Sequence, residues 1–333
     1  MRRIIFLVVV GFAIALLAPL ADSRSLTNLI VAILFAASVA SAWNIIGGLA
    51  GQFSLCNALF LLTGAFTSGF LFVHGVSPWI GMIAGATLAA LLAALLGLLT
   101  FPFRLKGLFF ALVTLVFSQA GVFVIEGLPG LGGQSGLRIP YEEGLWNLQF
   151  QSEMPYMIWL VVVLGTIMTV THQVSVSRLG YELRAVRENE DAAAAVGIDA
   201  AKVKTIAFMI SAAATAPLGT FYAQYYGYIE ARTLGGSLAS VQLLLPAIVG
   251  GTLFLFGPLL GSALLATISA VSREYFGSVA GLEGVIYGAV TIILMWVLPA
   301  GLCSGIDRFR KKCGGGRRDT QSPRTRARVA DDA

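Results

Sequence analysis

Apolar residues run along the chain in blocks of about twenty, separated by short polar stretches, with little of the alternation a half-buried strand would show. Ten blocks stand out, at about 4–20, 27–49, 54–74, 77–101, 105–126, 154–172, 204–229, 238–255, 257–272 and 282–300. A helix needs about 20 apolar residues to cross a bilayer, where no water can satisfy an open backbone. The pattern therefore predicts an all-α, polytopic integral membrane protein with about 10 transmembrane helices. The eighth and ninth blocks nearly touch at Gly257-Pro258, which leaves open whether both are continuous or one is re-entrant. The first follows Arg2 and Arg3, as a signal peptide would. It is read as a span because further spans follow it directly.

Composition supports this reading and charge orients it. The chain is 57% hydrophobic and 12% charged, where a soluble domain averages about 25% charged. With ten spans and the N-terminus inside, the cytoplasmic segments hold Arg2, Arg3, Arg104, Lys106, Arg178, Arg184, Arg187, Lys202 and Lys204, and the tail after residue 306 holds the other inner cations. The outer side keeps only Arg24, Arg138, Arg232 and Arg273. That asymmetry is what the positive-inside rule requires. The tyrosines of "FYAQYYGY" (221–228) then fall at the outer end of the seventh span, where an aromatic belt belongs. Two long segments lie between spans: 127–153 outside, leaning acidic, and 173–203 inside. Five spans precede the outer segment and five follow it, an arrangement that would make the halves inverted.

The spans are almost free of charge. Ion-coupled transporters place titratable groups within their spans, yet here the nearest cases are Glu126 and Glu283, at outer ends. Energy for uphill transport would have to come from another subunit. No P-loop sequence occurs, so ATP is not expected to bind this chain. The three cysteines and two histidines have no metal-site spacing, and no Ser/His/Asp or Cys/His set points to an enzyme. Gly81/Gly85, Gly257/Gly261, Gly277/Gly281 and Gly284/Gly288 have the spacing of close helix packing. Between the second and third spans, "GGLAGQFSLCNALF" (47–60) sets three glycines beside Gln52, Ser54 and Asn57. These are candidates for polar contacts along a solute path, or for a plain cytoplasmic turn.

The inner segment "RLGYELRAVRENEDAAAAVGIDAAKVKT" (178–205) places five charges between Arg184 and Asp191. Leu183 to Val196 predict one helix, with Gly197 as its stop and Asp199 as N-cap of the next helix. Arg184/Glu188 and Arg187/Asp191 fall at i,i+4, each worth about 0.2–0.5 kcal/mol. Arginine first is the weaker order, and acids near a helix C-terminus oppose its dipole. Such charges are better suited to meeting a partner than to stabilising their own helix.

Asp191-Ala192-Ala193 followed by Gly197 resembles the E-A-A-x-x-x-G coupling loop of ABC importer permeases, with Asp in the Glu place. The longer stretch is similar to the cytoplasmic loop of branched-chain amino-acid ABC transporter permeases. The likeness runs over about 27–302, through "AGQFSL" (50–55), "LKGLFFALVTLVFSQ" (105–119), "GGQSGL" (132–137) and "IYGAVTIILMWVLPAGL" (286–302). It is to the longer of that system's two paralogous permeases. Cys56-Asn57 stands where the family has Gly-His, and Leu253 in "GGTLFLFGP" (250–258) where it has glycine.

The resemblance implies an ABC importer permease fold over 1–302 and a transport function, not an enzyme. It implies a second permease subunit, cytoplasmic P-loop ATPases that hold the ATP, and a periplasmic binding protein, in a bacterial inner membrane with both termini cytoplasmic. It places ATPase coupling on Arg184, Arg187, Glu188, Asp191, Ala192, Ala193 and Gly197. Arg138, Glu142 and Glu143 become candidates for docking the binding protein. Leucine, isoleucine and valine are the implied solutes, with urea, short amides or another small neutral solute as an alternative. A self-sufficient secondary transporter or channel is the rival from another class. The basic tail 303–333 is expected to be disordered and to lie on anionic lipid rather than on nucleic acid.

Overall fold

The computed structural model describes residues 24–105, 107–252, 254–276, 281–297 and 301–303. The expected span at 4–20, Lys106, Leu253 and nearly all of the basic tail lie outside these residues. In chain order the helices are α1 (Arg24–Asn44), α2 (Asn57–Val73), α3 (Pro78–Thr100), α4 (Leu108–Glu126), α5 (Met154–Val176), α6 (Arg178–Glu188), α7 (Glu190–Ala195) and α8 (Ala200–Tyr226). They continue as α9 (Ala231–Gly235), α10 (Ser237–Gln242), α11 (Leu245–Gly250), α12 (Gly257–Phe276) and α13 (Leu282–Val297). Among the described residues strands are confined to a two-residue ladder, β1 (Leu137–Arg138) against β2 (Tyr228–Ile229), antiparallel with Leu137 opposite Ile229.

Six described stretches are long and apolar enough to cross a membrane: Ser25–Leu49, Pro78–Phe103, Leu108–Glu126, Met154–Val176, Ala200–Tyr226 and Ala231–Gly250. Asn57–Val73 and Gly284–Val297 are shorter apolar helices. The fold is all-helical, as the apolar blocks predict. Two blocks are not simple spans. Residues 51–55, which run into the start of the 54–74 block, are non-helical, and the helix begins only at Asn57. The 238–255 block is cut into α10 and α11 and ends at Gly250, ahead of a turn leading into α12.

The short α2 is the centre of the packing. Thirteen of its seventeen residues are buried, so it is enclosed by other helices rather than by lipid. It lies between α3 and α8, and small residues bring the backbones together. A Cβ on Gly64 would strike the carbonyl oxygen of Ala216 on α8. On the opposite side, a Cβ on Gly85 of α3 would stand 3.1 Å from the Gly64 Cα. Substituting Gly64 with alanine is expected to cost about 1–3 kcal/mol, or to force the helices apart, measurable as a lower unfolding temperature in detergent. Gly257 and Gly261 seat α12 closely against the α11 end, whereas Gly284 and Gly288 face open space.

α8 fixes the distance between the two ends of the molecule. At 1.5 Å per residue its 27 residues cover about 40 Å. One end carries the α6–α7 hairpin, and the other carries the β ladder that pins the 127–153 segment. That segment is a held structure. Gln149, buried, donates to the Gln224 side chain of α8 at 2.8 Å, and the Trp79 indole donates to the Leu145 carbonyl at 3.1 Å.

Candidate functional site

The charged segment folds as two short helices, not the single helix its propensities predict. Ser177 caps α6, its side chain accepting from the Gly180 amide. Gly180, Leu183 and Val186 then form a buried face. At Asn189 the backbone becomes extended (φ −156°, ψ 111°), and the Asn189 side chain accepts from the Asp191 and Ala192 amides at 3.0 Å each. This cap competes successfully with helix continuation. Its consequence corrects the expected charge placement. Glu190 and Asp191 occupy the first turn of α7, where the helix dipole favours them. The ending is as predicted: Gly197 takes φ +86°, and Asp199 caps α8 by accepting from the Lys202 amide at 3.1 Å.

Neither expected i,i+4 pair forms, because each side chain finds a partner elsewhere. Arg184 donates to the carbonyls of Ser175 at 2.7 Å and Gly180 at 3.1 Å, closing the C-terminal turn of α5, and lies over the Tyr181 ring. Arg187 donates to the Gly48 carbonyl at 2.8 Å and sits 3.6 Å from Glu188. Asp191 pairs with Arg104 of the α3–α4 connection at 2.9 Å. Both of those groups are largely exposed, so the pair contributes at most about 1 kcal/mol.

Sequence reasoning missed the most buried ion pair among the described residues. Glu190 turns inward and meets Lys204 of α8 at 3.0 Å, with the side chains 7% and 2% exposed. The signal was available in retrospect: Lys204 begins a membrane helix in a chain that avoids charge in its spans, so it needs a counter-ion. Ala193 is buried, while Ala192, Ala194 and Ala195 face outward and Val196 is 76% exposed. The hairpin thus presents a small apolar ridge that nothing in the chain covers among the described residues.

Arg187 leads from the hairpin into the membrane part. Its partner Gly48 lies in a π-helical turn, Ile45–Leu49, that ends α1. Such turns are rare and cluster at functional sites. The chain then reverses at Gly51 (φ +66°), where the Arg187 stem packs so closely that a Cβ would collide with it. Residues 51–55 thread back through the packing without helical structure. The Trp43 indole donates to the Ser54 carbonyl at 2.7 Å, and the Leu55 amide donates to Thr114 Oγ1 at 2.9 Å. These bonds satisfy backbone groups that the missing helix would have satisfied.

Gln52, Ser54 and Asn57 are all buried. Asn57 donates to Thr215 Oγ1 of α8 at 3.1 Å. Gln52 borders a polar cleft of about 420 Å³ between the 50–52 turn and the α6–α7 junction, where Arg187, Glu188 and Asp191 also lie. Gln52 Oε1, Asn57 Oδ1, Asn44 Oδ1 and Ser41 Oγ are buried with no hydrogen-bond partner. Each such group costs about 1–3 kcal/mol. The three candidate docking residues are exposed at the opposite end. Arg138 sits on β1, and the Glu143 carboxylate accepts from Gln151 at 2.7 Å. Leu145 and Trp146 beside them are exposed apolar side chains. Among the described residues no group of three His, Cys, Asp or Glu could hold a metal.

Comparison with known proteins matches the family described as "Branched-chain amino acid transport system / permease component" to residues 25–295. The high-affinity branched-chain amino acid transport system permease protein LivM of Escherichia coli (strain K12) is 26% identical over 285 residues, covering 78% of this chain and 65% of that protein. LivH of Salmonella typhimurium is 29% identical over 149 residues, covering 45% and 47% respectively. The chain thus spans about half the length of LivH that it matches. The similarity to LivM, the longer protein, extends along most of this chain. Among solved structures, PsaBC from Streptococcus pneumoniae in complex with Fab matches with a TM-score of 0.45 and 17% identity, over 88% of this chain and 97% of that one. With the match running from the start of α1 into the last turn of α13, this multi-pass helical protein belongs to the branched-chain amino acid transport permease family, a family of transport components and not of enzymes.

Proposed function

We propose that the chain is the membrane-spanning permease subunit of an ABC importer, moving leucine, isoleucine and valine inward by alternating access driven by separate ATPase subunits. The observation that carries this reading is the α6–α7 hairpin. It offers an uncovered ridge of Ala192, Ala194, Ala195 and Val196, yet it is tied inward by Arg187 to Gly48 and by Glu190 to Lys204. A partner pressing on the ridge would act on α1 and α8 together.

In this reading Ala192, Ala194, Ala195 and Val196 meet the ATPase, with Glu188 and Asp191 at the rim. Arg184 and Arg187 hold the hairpin to the permease, and Gly197 lets the chain turn into α8. ATP stays on the ATPase subunits. Arg138, Glu142 and Glu143 dock a periplasmic binding protein, a second permease completes the pathway, and both termini lie in the cytoplasm of the bacterium. The partnerless oxygens of Gln52 and Asn57 support a polar path through this seam. Helix movement that opened it would let solute or water satisfy them, with Ser54 on the same strand.

Gentle extraction of the tagged chain from its native membrane tests the reading. Recovery with a P-loop ATPase and a similar permease is expected, and Val196→Asp should lose the ATPase while keeping the permease. Purified chain that moves solute in vesicles without ATP would overturn it.

A further inference from the structure

The 127–153 segment holds three large apolar side chains in the open. Leu145–Asn147 form a 3₁₀ turn, in which Leu145 is 75% and Trp146 79% exposed, with Tyr141 nearby at 61%. The turn is held from several sides. Gly144 and Gln149 bridge its base, the Gln149 side chain donates to the Pro140 carbonyl at 3.1 Å, and Leu148 takes the left-handed region at φ +52°. The turn also rests on the start of α3. The Ser77 hydroxyl, just before that helix, donates to the Trp146 carbonyl at 2.8 Å, and the Trp79 indole donates to the Leu145 carbonyl.

Two features of this tip identify what it meets. The first is how its polar groups are satisfied. The carbonyls of Gly144, Leu145 and Trp146 are each taken by a donor of the protein: the Asn147 and Gln149 amides, the Trp79 indole and the Ser77 hydroxyl. The Asn147 side chain turns back as well, donating to the Glu142 carbonyl at 3.2 Å. Lipid hydrocarbon offers no partner to an open carbonyl, whereas a protein surface would. A turn that closes its own carbonyls and leaves leucine and tryptophan outward suits an apolar surface. The second feature is position. The Pro78–Phe103 stretch has 26 residues and covers about 39 Å, against about 30 Å of hydrocarbon. Its first turn, with Trp79, therefore lies at headgroup level, and the tip beside it. Ile80, Ile83, Leu91 and Leu98 of α3 are 58–67% exposed, while Gly81 and Gly85 pack against α2. The lipid-facing side of α3 thus runs up to the tip.

We propose that the Leu145–Trp146 tip inserts into the lipid interface beside α3 and anchors the 127–153 segment to the membrane surface. Tryptophan suits this depth, because its ring is apolar and its indole N–H can meet a headgroup. Glu142 and Glu143 precede the turn and stay in water, with Glu143 accepting from Gln151. The anchor does not depend on the importer reading. Where that reading holds, the anchor sets the height at which Arg138, Glu142 and Glu143 meet a binding protein.

The test uses the full chain in vesicles of phosphatidylethanolamine and phosphatidylglycerol, with the photo-crosslinking residue p-benzoylphenylalanine placed singly at Trp146, Ile83 or Arg138. Illumination is expected to give a phospholipid adduct at Trp146, as at the lipid-facing Ile83, and none at the exposed Arg138 of β1. A Trp146 position that stays free of lipid, as Arg138 does, overturns the proposal. So does one that joins to protein in place of lipid when a periplasmic binding protein is added. If the altered chain fails to insert, fluorescence of the unaltered chain and of Trp146→Phe decides. The chain has five tryptophans, so the difference between the two spectra isolates Trp146. That difference is expected to disappear in vesicles whose acyl chains are brominated, because the bromines quench a tryptophan in contact with lipid. A difference that brominated lipid leaves intact overturns the proposal.

Discussion

Replacing Lys204 with methionine is expected to destabilise the chain by about 3–5 kcal/mol, the usual cost of breaking a buried ion pair by removing one partner. Lys204 and Glu190 meet at 3.0 Å in a site almost closed to water. Methionine keeps most of the side-chain volume, so the loss reports charge rather than a cavity. What remains is a carboxylate fixed at the N-terminus of α7, behind the Asn189 cap. The double variant Lys204→Met with Glu190→Leu should recover much of the loss, because replacing both members of a buried pair with apolar groups is often neutral. Thermal unfolding in detergent, followed by circular dichroism, checks both. A single-variant loss below about 1 kcal/mol would show that Glu190 escapes to water and that the pair does not hold the hairpin. Because the pair joins α7 to the first turns of α8, the single variant should also free the hairpin for proteolysis before the membrane helices unfold.

Arg187→Glu is expected to cut ATP-driven uptake by about tenfold or more while the ATPase remains bound. The arginine donates to the carbonyl of a π-helical turn, a charged hydrogen bond worth about 1.5–3 kcal/mol. Glutamate would set a carboxylate against that carbonyl and against Glu188, so attraction becomes repulsion at the junction of hairpin and α1. Arg187→Lys keeps the charge but not the planar donor fork, and should retain part of the activity. ATP hydrolysis and solute uptake measured on the same vesicles separate the outcomes. Continued hydrolysis with lost uptake is the expected result, and normal uptake would show that force reaches the spans by another route. Most of the Arg187 guanidinium reach is spent inside the permease.

Local rules succeeded wherever cause and effect lie within a few residues. Gly197 ends its segment in the left-handed region and Asp199 caps α8, as their positions imply. The glycines around 47–51 correctly mark a place where the helix is broken. The same rules failed at Asn189. The residues on both sides favour helix, but a side chain that can satisfy two amides offers the backbone an exit, and the inward pull of Lys204 on Glu190 is invisible in a propensity sum. They failed again on the i,i+4 pairs. On an isolated helix Arg187 would turn to Asp191, whereas in the folded chain a carbonyl from α1 and an arginine from the α3–α4 connection compete and win.

The sequence by itself determined that the chain crosses a membrane and that it is helical. Hydrocarbon allows few structures, so apolar blocks and their basic flanks are nearly sufficient to identify them. Only the tertiary structure decided that α2 is buried among other helices, that residues 51–55 thread back without helix, and which charges face inward. Those outcomes depend on how closely the α2 and α8 backbones approach at Gly64 and Ala216, and on partners from 14 to 139 residues apart. Contact between such distant residues is set by packing, which no pattern along the chain encodes locally.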